Sequence, residues 1–204
     1  KPYFEQIIKN WIENEKMFQI IELIQENYMN TALSFQNYFL NCCVAVESFH
    51  VRFIKGNETN DVKQNIKCRI EEREFISSEI NDEDIRKTFL KNTTNWKTTT
   101  FKEKLSHFSE AINRIKGQHI TIPFDEFIDN IVKTRNKIAH EGDYLKYLTE
   151  FELLLFRKVL DQVVKIEILK SLGIENTQTL DEFYLDATYR VDSLARMNNY
   201  NINN

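Results

Sequence analysis

Apolar residues recur at three- and four-residue spacing along most of the chain, the period of helices that bury one face. Over residues 4–27 the stripe runs through Phe4, Ile7, Ile8, Trp11 and Ile12 and resumes at Phe18, Ile21 and Ile24, which predicts one bent helix or two. A second helix is predicted over about 31–55. It carries Phe35, Phe39, Cys43, Val46 and Phe53 on its apolar side and stops at Gly56-Asn57. Residues 61–80 are dense in charge (Arg69, Glu71, Glu72, Arg73, Glu74) and read as a solvated helix. Asp82 and Asp84 suit the start of a short helix after it.

The stretch 92–100 is polar and irregular. Thr100 with Glu103 then forms a capping-box pattern opening a helix to about Lys116, with Gly117 as its stop. Pro123 opens the next helix, which ends near His140 before Gly142. Thr149 with Glu152 opens a long apolar helix to Leu172 and Gly173. Thr179 with Glu182 opens a last one through about Met197. The Asn-rich tail 198–204 is expected to fray. With no repeat and no clear linker, residues 1–204 read as one all-α domain. A start at Lys1-Pro2 is compatible with a piece of a longer protein whose missing part lies upstream.

Composition sharpens this in three respects. Four Gly and two Pro in 204 residues leave little punctuation for the turns of a sandwich or barrel. A net charge of −4 means that any nucleic-acid binding must come from a local basic patch. Adjacent Cys42 and Cys43 with a lone Cys68 make neither a disulfide framework nor a metal spacing, so the chain reads as a cytoplasmic protein. No apolar run reaches the ~18 residues of a membrane-spanning helix, and no membrane partner is expected.

The sharpest chemistry lies at 134–142, Thr-Arg-Asn-Lys-Ile-Ala-His-Glu-Gly. Arg135 falls on the stripe 124, 128, 131, 135, 138 and therefore takes a core-facing slot, where a guanidinium needs a carboxylate, a cleft or a partner subunit. Glu47, beside Cys43 and Val51 on the second helix, is the candidate to hold it; an ordinary boundary glutamate is an equal alternative. Asn136 and His140 are four apart and share a face. Arg135 and His140 are five apart, roughly 140° around a regular helix. The two converge only if the last turn loosens or a second chain supplies one of them. Arg binds phosphate as a planar fork and His moves protons near neutral pH, so the set suggests phosphodiester chemistry. Lys133 and Lys137 flank it as candidate phosphate contacts, or as solvated helix residues.

Arg135-Asn136-Lys137-Ile138-Ala139-His140 resembles the Arg-Asn-x-x-Ala-His signature of HEPN domains, which are all-helical nucleases of toxin–antitoxin and antiphage systems. Residues 38–50, with Glu47, resemble that family's glutamate-bearing helix. Together with Trp11 upstream, the arrangement is most similar to the C-terminal HEPN domain of ApeA-type abortive-infection proteins. The region 57–97 has no match in this resemblance.

The resemblance implies a HEPN-like bundle with additional helices, acting as a homodimeric endoribonuclease in antiphage defence, with no metal and no other cofactor. Arg135 and His140 match the catalytic pair and Asn136 the usual polar position, with Glu47 in support. RNA (tRNA or mRNA) is the implied partner, and an upstream domain or a phage trigger is a further one. The implied reaction is attack of the 2′-OH on the adjacent phosphate, leaving 2′,3′-cyclic phosphate and 5′-OH ends. It needs a base, an acid and a cation on the non-bridging oxygens. One chain offers one suitable His; two chains meeting at this motif offer two.

The competing readings are a catalytically silent dimerisation or sensing module for an upstream domain, and an Arg135–Glu47 pair that only specifies packing. His50 is expected to be packed or at a boundary, and His107 and His119 to be surface or loop residues. Cys42 and Cys43 are expected to fill core, as are Phe35, Phe39, Phe49 and Phe53.

Overall fold

A computed structural model describes residues 2–30, 33–54, 60–117, 120–141, 148–174 and 177–197. These form α1 (Pro2–Glu13), α2 (Glu15–Met29), α3 (Phe35–Phe49), α4 (Asn60–Glu79), α5 (Glu83–Asn92), α6 (Phe101–Ser106), α7 (Ser109–Ile115), α8 (Phe124–Glu141), α9 (Glu150–Ser171) and α10 (Thr177–Met197). A π-helical turn follows α3 at His50–Ile54, and a 3₁₀ turn spans Thr94–Lys97. The all-α expectation agrees, and no strand occurs among the described residues.

Helix α9 is the axis of the bundle. Leu153, Leu155, Phe156, Val159, Leu160, Val163, Val164 and Ile166 are all buried along it, and α3, α7 and α10 pack around it. Helices α2, α3 and α8 close the core with Met17, Ile20, Phe39, Val46, Phe127, Ile128 and Ile131. The Phe127 and Phe156 rings meet at 4.4 Å and fix α8 against α9.

Local chemistry sets the ends. Ser34 accepts from the Asn37 N–H and starts α3. Asp82 accepts from Asp84 and Ile85 and starts α5. Both capping boxes expected at Thr100–Glu103 and Thr149–Glu152 are present. Gly117 and Gly173, at φ 66° and 89°, take the left-handed geometry that ends α7 and α9. At Gly117 a Cβ would also collide with Asp192 on α10.

Of the two forms expected for the first stripe, the chain takes two helices, broken at Asn14, with Trp11 and Phe18 meeting edge to face across the break at 6.2 Å. Other expectations need correction. The helix expected over 31–55 starts at Phe35 and widens to π geometry at His50, where Phe53 stacks on Phe49 at 4.8 Å. Phe35 is exposed rather than core.

The helix expected over 100–116 is two helices. The chain turns at His107–Phe108 so that Phe108 drops into the core against Phe49, and that burial overrides local helix propensity. The last helix begins at Thr177, leaving Thr179 and Glu182 inside it rather than at a cap. The stops at Gly56-Asn57 and Gly142, His119, and the tail 198–204 lie outside the described residues.

The charged segment 61–80 is helical, and two of its arginines turn inward. Arg73 is buried and donates to Thr93 Oγ1 (3.0 Å) and the Leu90 carbonyl (2.9 Å). Arg69 forks onto Glu103 at 2.7 and 3.1 Å and reaches the Trp96 and Thr98 carbonyls. The segment is thus tied to the cap of α6.

Burial pushes the Glu103 carboxyl up, but the bonds from Arg69 and Thr100 outweigh it and hold it below its ordinary range. A depressed folded-state value stabilises the fold above the unfolded range, and the stabilisation fades as pH falls through the folded value. Glu103→Ala is expected to cost about 2 kcal/mol in urea unfolding at pH 7, with the gap from wild type narrowing in acid.

Candidate functional site

The inner face of α8 is set by Phe127, Ile128, Ile131 and Thr134, which are buried. This face is rotated from the stripe read off the sequence. Thr134 takes the deep position and Arg135 stands at its edge, a correction to the core-facing slot. A small hydroxyl side chain is far less costly to dehydrate than a guanidinium.

At that edge Arg135 Nη2 donates to Glu47 Oε2 at 3.0 Å. The side chains of Arg135, Glu47 and Lys104 are 31%, 22% and 16% exposed, so the cluster is reached by water at one end only. Lys104 Nζ donates to the other oxygen, Glu47 Oε1, at 3.1 Å. One carboxylate therefore bridges two cations, and the trio keeps one net positive charge. The Arg135 guanidinium also lies over the Phe101 ring at 5.4 Å and donates to Asn136 Oδ1 at 3.2 Å. Both terminal nitrogens are thereby engaged, and the planar guanidinium is held in one orientation.

The structure brings Arg135, Asn136 and Glu47 together and leaves His140 apart. Helix α8 stays helical through Glu141, so the last turn does not loosen, and Arg135 and His140 remain about 140° apart. His140 is exposed, Lys133 is exposed beside the Lys102–Asp129 ion pair, and Lys137 is half-buried. A single chain can therefore grip an anion at Arg135 but cannot deliver His140 to the same atom.

Lys104 is the residue that sequence reasoning missed. In Phe101-Lys102-Glu103-Lys104-Leu105 the buried Phe101 and Leu105 mark the inner face, and Lys104 is about 60° from Phe101 around the helix. That pattern flags a boundary lysine but does not say that α3 lies opposite.

His50 is buried, as anticipated. His107 lies in the turn between α6 and α7, the loop placement expected for it, and is half-buried there with its ring edge-on to His50 at 4.8 Å. Cys42 and Cys43 are both buried, and burial pushes the Cys42 thiol up to about 12, so neither behaves as a nucleophile. No helix among the described residues is long and apolar enough to cross a membrane.

Among known proteins, the family model for Apea-like HEPN domains matches residues 40–178. That span runs from α3 to the first turn of α10 and includes the 57–97 region. No curated protein and no solved structure matches the chain.

Proposed function

Since the chain belongs to the Apea-like HEPN family, we propose that it is an endoribonuclease of the HEPN type, an antiphage effector that cleaves RNA without a metal. The observation that carries the reading is the oriented Arg135 fork, held by Glu47 and backed by Lys104, one and a half turns before an exposed His140 on the same helix.

In the proposed reaction the 2′-oxygen bonds to the adjacent phosphorus as the P–O5′ bond breaks. One His140 takes the 2′-OH proton, and a second protonates the departing O5′. Arg135, with Lys104 behind it, faces the charge that builds on the non-bridging oxygens. Lys133 and Lys137 steer neighbouring phosphates.

Within one chain the two motif residues point apart, so the reaction needs a second copy. In a homodimer with α8 at the interface, the arginine of one chain works with the histidine of its partner, and two histidines serve as base and acid. The same divergence favours a second reading: a chain that never pairs in this way is a silent helical module that senses RNA or a ligand.

The test is incubation of the purified chain with tRNA and mRNA in EDTA, reading fragment ends, alongside sedimentation velocity. EDTA-resistant fragments with 2′,3′-cyclic phosphate ends from a dimer are expected. A folded dimer that binds RNA but yields no fragments at any concentration would move the assignment to the sensing module.

A further inference from the structure

Helix α9 carries a second polar site, on the side of α3 away from Arg135. Arg157, Lys158, Asp161 and Lys165 are spaced by three and four residues and share one face. Asp161 is buried, and its Oδ2 already accepts from Tyr28 (2.7 Å), Gln162 (2.8 Å) and Lys165 (2.9 Å). Lys158 stands 3.8 Å from that same oxygen, beyond hydrogen-bond reach. The Arg157 guanidinium lies over the Tyr38 ring at 5.0 Å. Asp161 Oδ2 is thus taken by three donors, and Arg157 and Lys158 line a common space with Asp161 in which positive charge is in excess.

That space is a dent of about 40 Å³ between Asn27, Tyr28, Cys42 and the α9 residues. A space of that size holds at least one water-sized group, so the dent can seat a phosphate oxygen between Arg157 and Lys158. Burial lowers the Lys158 ammonium from its ordinary range. The nearby charges of Lys165, Arg190 and Arg157 push it the same way, against Asp161 alone. An incoming phosphate would relieve that repulsion. In a chain of net charge −4 such a concentration of cations is local, and a small cationic dent suits one phosphate of a longer polyanion.

We propose that Arg157 and Lys158 form a phosphate-binding exosite for the RNA backbone, separate from the Arg135 site and holding the strand at a second point. The identity of the phosphate as RNA rests on the ribonuclease reading. Adjacent Cys42 and Cys43 mark the division, since Cys42 lines the dent and Cys43 feels the Arg135 charge.

The test compares the full chain carrying His140→Ala with the same chain carrying Arg157→Gln and Lys158→Gln in addition. Affinity for a fluorescein-labelled single-stranded RNA is read by anisotropy across a NaCl series, with thermal melting to verify the fold. Both glutamines keep most of the stem packing, and a Lys158→Gln single variant serves if the double variant melts early. Loss of two contacts is expected to flatten the slope of log K against log salt by about 1.4, with affinity at least about fivefold weaker at moderate salt.

Equal affinity and equal slope in a folded variant would overturn the exosite. So would equal RNA affinity together with a melting shift from inorganic pyrophosphate that only the unsubstituted chain shows, since the dent would then take a free phosphate. Binding needs no cleavage, so the two readings fail separately. RNA that binds through Lys158 but is never cut by the wild type counts against the nuclease alone. RNA that is cut by the wild type but bound equally by the variant counts against the exosite alone.

Discussion

His140→Ala is expected to reduce RNA cleavage by about 10²–10⁴-fold, the usual contribution of a positioned acid or base, while leaving thermal unfolding almost unchanged. Both halves follow from where the side chain sits. His140 is on the last turn of α8 and exposed, so its removal uncovers no core, and surface substitutions of this kind stay within about 0.5 kcal/mol. A side chain with so little structural work is a clean probe of chemistry. If dimers form through α8 and the two histidines act as base and acid, a mixed dimer of wild-type and His140→Ala chains keeps only one of them and should cleave well below half the wild-type rate. Cleavage at the wild-type rate by a verified His140→Ala protein would end the assignment of this residue as base or acid.

Arg135→Ala is expected to lower cleavage by about 10²–10³-fold, the cost of removing one donor aimed at developing negative charge. Its effect on stability decides between function and packing. A fully buried ion pair broken from one side costs about 3–5 kcal/mol because the remaining charge is left dry and unpaired. Here the pair opens to water at one end, and Glu47 keeps its bond to Lys104 at 3.1 Å. The expected loss is therefore only about 1–2 kcal/mol in urea unfolding. A loss above 3 kcal/mol with unaltered cleavage and a monomer in solution would mean that Arg135 merely specifies how α8 packs on α3. Arg135→Lys should recover stability but little activity, since an ammonium has no planar fork.

The helical architecture was legible because its signals are local. The boxes at Thr100–Glu103 and Thr149–Glu152, the acidic start at Asp82 and the glycines at 117 and 173 each act within a few residues of themselves. The motif at 135–140 was legible for the same reason: it is six consecutive residues. Where prediction failed, a distant partner had intervened. The break at His107–Phe108 exists because Phe49 waits for Phe108. Arg69 and Arg73 turn inward because carbonyls of the 90–98 stretch and Glu103 are there to receive them.

The amino-acid sequence by itself determined that this chain is all helical, where most helices begin and end, and which short segment carries the Arg, Asn and His. Those properties depend on spacing and on caps, which the chain holds in its own order. Only the tertiary structure decided that Thr134 and not Arg135 fills the deep slot of α8, that Glu47 serves Lys104 as well as Arg135, and that Arg157 and Lys158 gather beside an already satisfied Asp161. Those outcomes turn on which helix faces which, and on the cost of drying each polar group once it gets there.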